Sequence, residues 1–148
     1  MQCDCGEVPR LTWECSHLGG DRFAATMLVL PEGLCYGRVD STDSADLVRL
    51  YLEGRLDNRL LRGRTSLPHA VQAAQYFARE ANGDDRIASL SPLDVDRHDN
   101  GIRVVLSGES GPIEVYLNEE LSEPLLSQCH AQVSGRVRFF TLSSITSA

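Results

Sequence analysis

The chain has 148 residues, of which 42% are hydrophobic, and this is enough to build one core. Its formal net charge of −7 excludes a protein whose main task is to neutralise nucleic-acid phosphates, because such proteins present a basic surface. All 14 basic residues are arginine, and the absence of lysine excludes Schiff-base chemistry and a phosphate-loop lysine. No apolar run reaches the roughly 18 residues that span a bilayer, so we expect a cytoplasmic protein that does not enter a membrane.

A β-hairpin is predicted in the first third of the chain. Residues 23–30 and 34–39 are largely apolar and flank Pro31-Glu32-Gly33, a three-residue connection that is typical of an antiparallel hairpin. A short strand is predicted before it, over residues 10–17. Polar and apolar side chains alternate there until the glycines that follow break the pattern.

Two helices are predicted next. The first helix follows the candidate N-caps at residues 41–43. The second is capped by Ser66, has Pro68 in its first turn and ends at Asn82-Gly83. The arginine-rich link between them, residues 56–65, is predicted to be exposed.

After the second helix the apolar residues change from a helical period to an alternating one. The alternating segments, which we expect to form an antiparallel sheet, are residues 87–95, 102–106, 113–117 and 133–142. The predicted fold class is therefore α+β. A β-hairpin–helix unit over residues 1–65 is followed, over residues 66–148, by a helix and an antiparallel sheet, and we expect both parts to pack as one globular body.

The densest group of metal-ligating residues lies near the amino terminus. Cys3 and Cys5 form one pair, and Cys15 and His17 form another. Each pair suits chelation, because residues i and i+2 of an extended chain project to the same face. Three sulfurs and one nitrogen are a ligand set for zinc or iron. The alternative is that Cys15 is a small buried hydrophobe and that Cys3 and Cys5 have no ligand role.

Two other groups of polar residues have both a functional and a structural interpretation. An anionic partner or a phosphate would suit the arginines of the first helix and the link, although a solvated surface also explains them. These arginines are Arg49, Arg55, Arg59, Arg62 and Arg64. The second group is explained more simply by the solvated end of a strand than by a carboxylate–imidazole cluster. Its members are Asp94, Asp96, His98 and Asp99.

One long segment resembles a known family. Residues 13–24 read WECSHLGGDRFA, and residues 27–39 read MLVLPEGLCYGRV. This stretch resembles the best-marked part of the sucrase/ferredoxin-like family, and residues 64–68 and 71–74 also resemble family members. The resemblance implies a thioredoxin-like ferredoxin, in which the hairpin–helix unit is part of a thioredoxin-like domain.

The resemblance also implies an iron–sulfur cofactor. Family members hold a [2Fe–2S] cluster through two amino-terminal cysteines and a later pair of histidines at His-x-x-x-His spacing. His17 matches the first histidine position, and Asp21 stands at the second. Cys3 and Cys5 would have to take the place of the first cysteine pair.

The leading functional hypothesis is a ferredoxin-like electron carrier whose acidic surface docks to a basic redox partner protein. One alternative is a non-redox interaction protein, in which an open sheet edge pairs with a second copy or with another chain. Another is a fold stabilised by zinc through Cys3, Cys5, Cys15 and His17. A protein that binds no metal is also left open. The sequence contains no hydrolase, metalloprotease or nucleotide-binding motif, so we do not predict an enzyme.

Overall fold

A computed structural model describes residues 11–16, 18–19, 21–99, 101–125 and 134–147. It has the predicted α+β class, with two helices and two antiparallel sheets. The first sheet has the strand order β1-β2-β3, and the second has the order β4-β5-β6-β7. The elements are a 3-10 turn (Asp21–Phe23), β1 (Thr26–Val29), β2 (Leu34–Gly37), α1 (Ser41–Leu52), β3 (Leu61–Arg64), α2 (His69–Asn82), β4 (Pro92–His98), β5 (Gly101–Gly108), β6 (Gly111–Leu121) and β7 (Arg138–Ser147).

The predicted hairpin is confirmed. Thr26 pairs with Gly37 and Val29 pairs with Leu34, so β1 and β2 are antiparallel neighbours. The link after α1 was predicted to be only an exposed connection, and this was wrong, because β3 lies within it and pairs with β2. Arginine and glycine make up most of β3, and neither residue type indicates a strand.

Helix α1 begins with a capping box. Its N-cap is Asp40, whose carboxylate accepts hydrogen bonds from the backbone N–H groups of Thr42 and Asp43, both at 2.8 Å. In return, the Asp43 carboxylate accepts a hydrogen bond from the Asp40 N–H at 3.1 Å. The residues predicted as caps, 41–43, therefore form the first turn, and the cap itself lies one residue earlier.

Helix α2 ends where the sequence predicts, but its start differs. Gly83 has a φ of 66° and its N–H donates to the carbonyl oxygen of Arg79 at 2.8 Å, which is a left-handed C-cap. The N-cap is Pro68, without a side-chain hydrogen bond, so the prediction of Ser66 as the cap was wrong. No helix in the described ranges is long and apolar enough to cross a bilayer.

Two predicted strands have different bounds in the structure, and for a third, predicted over residues 10–17, the described residues form no strand. Residues 11–16 are exposed and belong to no strand, since an alternating segment needs a partner strand to pair with. The segment 87–95 was predicted to be a strand from its start, but β4 begins only at Pro92, and Ile87 is buried in the core beside the hairpin. β7 begins and ends about five residues later than the predicted segment 133–142, of which residue 133 lies outside the described residues.

Two buried clusters form the core, and α2 lies between the sheets. Helix α2 contacts β3 of the first sheet and β5, β6 and β7 of the second. The larger cluster joins the small side chains of α2 to the apolar faces of β5 and β6. The smaller cluster consists of Leu34, Tyr36, Leu47, Leu56 and Ile87. Because Ile87 follows α2 in the chain, the smaller cluster contains residues from both halves of the sequence.

Tyr36 makes the stability of this smaller cluster depend on pH. Only 1% of its surface is exposed, and its hydroxyl has no hydrogen-bond partner among the described residues. Burial, with a contribution from the Asp57 carboxylate, raises the pKa of Tyr36 to about 12. The unfolded chain loses the same proton near pH 10 (about the usual tyrosine value), so the free energy of unfolding falls as the pH rises from there towards the folded-state pKa.

We expect Tyr36→Phe to remove this pH-dependent loss. It should also raise the free energy of unfolding at neutral pH by about 1 kcal/mol, since a buried unpaired hydroxyl costs about 1–3 kcal/mol. Urea unfolding of both proteins at about pH 7 and about pH 11 measures the two effects. Tyr51→Phe is the control for the effect at neutral pH, because it removes a hydroxyl that donates to the Glu32 carboxylate at 2.6 Å and should not raise the free energy of unfolding. A clearly lower free energy of unfolding for Tyr36→Phe would show instead that the Tyr36 hydroxyl stabilises the fold.

Candidate anion-binding cleft

A cleft of about 800 Å³ lies between β3 and α2 on one side and the start of β7 on the other. Five aromatic rings line it: Phe23, Tyr76, Phe77, Phe139 and Phe140. Its guanidinium groups are those of Arg22, Arg59, Arg62 and Arg138. No carboxylate within the described part of the chain lines this cleft. In a chain of net charge −7, a cleft whose charged lining is wholly basic is an exception to the overall charge.

Three arginines lie near the ring of Phe23, and two of them, Arg22 and Arg62, line the cleft, whereas Arg38 lies outside its lining. The guanidinium carbon of Arg62 lies 3.9 Å from the ring centroid, that of Arg22 lies 4.7 Å away, and that of Arg38 lies 5.8 Å away. A guanidinium within about 6 Å of an aromatic face is attracted by the ring quadrupole. Phe23 therefore holds three positive charges near one another. We refer to Phe23 with these three residues as the arginine cluster.

The hairpin brings the members of the arginine cluster together. Phe23 precedes β1 and Arg38 follows β2, so the antiparallel pairing places them side by side. The N–H of Arg38 donates to the carbonyl oxygen of Phe23 at 2.7 Å, and the N–H of Val39 donates to that of Ala25 at 3.0 Å. The backbone thus fixes the position of Phe23 relative to Arg38.

Arg62 joins the cluster from β3, and Gly37 makes room for it. A Cβ atom at residue 37 would lie 2.9 Å from the Cβ of Phe23 and 3.1 Å from the Cγ of Arg62. Both distances are shorter than normal contacts, so a side chain here would push the Arg62 stem away from the ring. Glycine at this position is therefore needed for the stacking of Arg62 on Phe23.

The arginine cluster differs from the other arginines of the cleft in lacking carboxylate partners. Arg59 Nη2 lies 2.6 Å from Asp57 Oδ2, and Arg138 Nε lies 2.8 Å from Glu119 Oε1. None of the three cluster arginines forms a salt bridge with a carboxylate whose side chain the structure describes.

Electrostatic repulsion within the arginine cluster is visible at Arg62. Burial lowers the pKa of Arg62 below its usual value, and the positive charges of Arg38 and Arg22 lower it further. An arginine side chain stays protonated in proteins, so the repulsion is not relieved by loss of a proton. A bound anion would relieve it, and this is the chemistry that the arrangement favours.

Of the metal ligands predicted from the sequence, the structure describes Cys15 alone. Cys15 is exposed in the segment 11–16, so the alternative interpretation of it as a buried hydrophobe was wrong. Cys3, Cys5 and His17 lie outside the described residues. Among the residues that are described, no three His, Cys, Asp or Glu side chains form a group that could hold a metal ion.

The other predicted polar groups are largely surface ion pairs. Arg49 lies 3.0 Å from Glu53 and 3.4 Å from Asp46, and Arg55 pairs with Asp85. In the acidic group near the end of β4, the side chains of Asp94 and Asp96 lie 3.3 and 3.4 Å from Arg103 on the neighbouring strand. These contacts favour solvated surface for Arg49, Arg55 and the acidic group, whereas Arg59 and Arg62 line the cleft.

Sequence reasoning included Arg62 in a candidate anion site but missed Arg22 and Arg38. The signal that could have found them is the hairpin itself. Residues that precede the first strand and follow the second are neighbours in an antiparallel pair, and here they are Phe23 and Arg38. The contribution of Arg62 depends on β3, which the sequence did not predict.

Comparisons with known proteins give no further guidance, since no family model, no curated protein and no solved structure matches the chain.

Proposed function

We propose that the protein is a binding protein that takes an anionic ligand in the cleft beside α2. The observation that carries this proposal is the arginine cluster, in which three guanidinium groups lie within 6 Å of one ring and have no described carboxylate partner. Elsewhere along the cleft, Arg59 pairs with Asp57, and Arg138 shares the Glu119 carboxylate with Arg97. The unbalanced charge is therefore concentrated at one end of the cleft.

A bound anion would offset the repulsion among the guanidinium groups of the arginine cluster by its attraction to each of them. Guanidinium groups present paired N–H donors that match carboxylate, sulfate and phosphate oxygens, and such charge-assisted hydrogen bonds are stronger than neutral ones. Because the charges of Arg22 and Arg38 both act on Arg62, an anion bound at one guanidinium is also attracted by the other two. The rings that line the cleft provide apolar contact area for the rest of an organic anion.

We expect Arg62→Gln to weaken anion binding by about tenfold or more, because a hydrogen bond to a charged group contributes about 1.5–3 kcal/mol. Isothermal titration calorimetry with phosphate, sulfate and benzoate measures the affinity. Arg49→Gln is the matched control, since it removes the same charge from α1, where Arg49 already pairs with Glu53 at 3.0 Å. Equal loss in both variants, or no measurable anion binding in the wild-type protein, would count against the proposal.

The ferredoxin-like electron carrier stays a second proposal, supported by the family resemblance and by one observation. Cys15 is exposed rather than packed into the core, a position that is compatible with a metal-ligand role. The hypothesis requires Cys3, Cys5 and His17 to come to the same place and hold a [2Fe–2S] cluster, with a redox protein as partner. Zinc bound by the same four residues is the alternative.

We expect anaerobically purified protein to be brown and to contain two irons per chain if the electron-carrier proposal is right. Visible absorption together with iron and zinc analysis on one sample distinguishes the possibilities, and His17→Ala should abolish the colour. Cys35→Ala is the control, because Cys35 lies partly buried in β2 and is not among the expected ligands. Colourless protein with one zinc per chain supports the zinc alternative, and metal-free protein overturns both.

Self-association through a sheet edge is also supported by an observation. Among the described strands β1 pairs with β2 alone, and its residues Thr26–Val29 carry no charge. Natural edge strands are usually protected from pairing by charged residues or proline. We propose that a second copy of the chain pairs with this edge.

We expect Leu28→Lys to shift the protein towards monomer, because a charge on an edge strand opposes pairing and Leu28 is not among the β1 residues that pack against the core cluster. Sedimentation velocity over a range of protein concentrations measures the state of assembly. Leu93→Lys on β4, the edge strand of the other sheet, is the control and should leave the assembly unchanged. A wild-type protein that sediments as a monomer at every concentration would exclude this proposal.

A further inference from the structure

We infer that the preferred ligand of the cleft is a phosphate monoester of a compound with a flat ring, such as an aryl phosphate. This inference rests on the proposed function and specifies its ligand. The phosphate would lie in the arginine cluster, and the ring would lie against the aromatic side chains further along the cleft. The two halves of the inference come from different observations, so each can be tested separately.

The phosphate half follows from the number and arrangement of the charges. Three guanidinium groups lie 3.9, 4.7 and 5.8 Å from one ring centroid, and a carboxylate offers them two oxygens and a single negative charge. A phosphate monoester offers three terminal oxygens and a charge of about −1.5 to −2 at neutral pH. It can therefore offer more acceptor oxygens to the guanidinium groups that line the cleft, Arg22 and Arg62, and offset more of the repulsion within the arginine cluster.

The ring half follows from the rest of the lining. Tyr76 and Phe77 lie on α2 with ring centroids 5.4 Å apart and planes at 73°, in an edge-to-face arrangement. Phe139 lies across the cleft on β7 and is 40% exposed. A volume of about 800 Å³ exceeds the space that a phosphate ion fills, and its apolar walls favour a flat organic group over water.

The backbone at Arg38 is a further sign that its guanidinium has a function. Arg38 has a φ of 62°, the left-handed region that glycine and asparagine adopt more readily than arginine. A strained backbone of this kind persists where the surrounding structure imposes it, and such positions are concentrated at functional sites. Arg38→Asn should therefore keep or raise stability while it removes a charge from the arginine cluster.

The test compares three probes on the same protein: phenyl phosphate, inorganic phosphate and benzoate. We expect phenyl phosphate to bind about tenfold more tightly than either of the others, because it alone uses both parts of the cleft. Arg62→Gln should weaken phenyl phosphate binding by about tenfold, and Arg38→Asn, which removes a charge just outside the cleft lining, should weaken it less. Phe139→Ala should weaken phenyl phosphate binding and leave inorganic phosphate binding unchanged. Urea unfolding of each variant separates loss of binding from loss of fold.

The outcomes distinguish this inference from the proposed function. If benzoate binds as tightly as phenyl phosphate, the cleft binds anions but does not select phosphate, and the inference fails alone. If inorganic phosphate binds as tightly as phenyl phosphate, or if Phe139→Ala weakens both equally, the ring half fails. If none of the three probes binds, the inference and the proposed anion-binding function fail together.

Discussion

Close packing of α2 against both sheets is the contact on which the rest of the structure depends. Ala70, Ala74 and Ala78 recur every fourth residue and are all buried, so the side chains along this line of the helix are only methyl groups. The helix axis can therefore lie near the apolar residues of β5 and β6. A larger side chain on this face would force the layers apart, and overpacking of this kind typically costs about 1–3 kcal/mol. Residues of α2 also line the cleft, so the position of the helix affects the width of the cleft.

The same helix also connects to the segment that leads into β4. Gln75 Nε2 donates to the carbonyl oxygen of Leu90 at 2.9 Å, and Arg79 Nη2 donates to that of Arg86 at 3.3 Å. Both side chains are buried, and burial lowers the pKa of Arg79. Polar residues on a helix face normally indicate that the face is exposed to solvent. Gln75 and Arg79 instead donate hydrogen bonds to backbone carbonyl groups of an irregular segment. Helix α2 thus orders the connection between the two sheets as well as the sheets themselves.

Local signals in the sequence were enough for some elements and insufficient for others. The hairpin and the end of α2 were predictable, because a proline–glycine connection and Gly83 act through the backbone at the position where they stand. The strand β3 and residues 11–16 were not, since each depends on whether a neighbouring strand is present. The arginine cluster depends on both kinds of element, those with a local signal in the sequence and those that need a neighbouring strand. Arg38 is placed by the hairpin, whereas Arg62 is placed by a strand that only tertiary pairing defines.

The arginine cluster carries a positive charge that does not vary under physiological conditions, because its charged groups are all guanidinium groups. Guanidinium groups keep their proton far above neutral pH, even where burial lowers the pKa, as at Arg62. No histidine or carboxylate belongs to the cluster as described, and the histidine that lines the cleft, His69, lies outside the cluster. A change in acidity therefore acts on the phosphate end of the site mainly through the ligand, whose own protonation decides how much charge it brings.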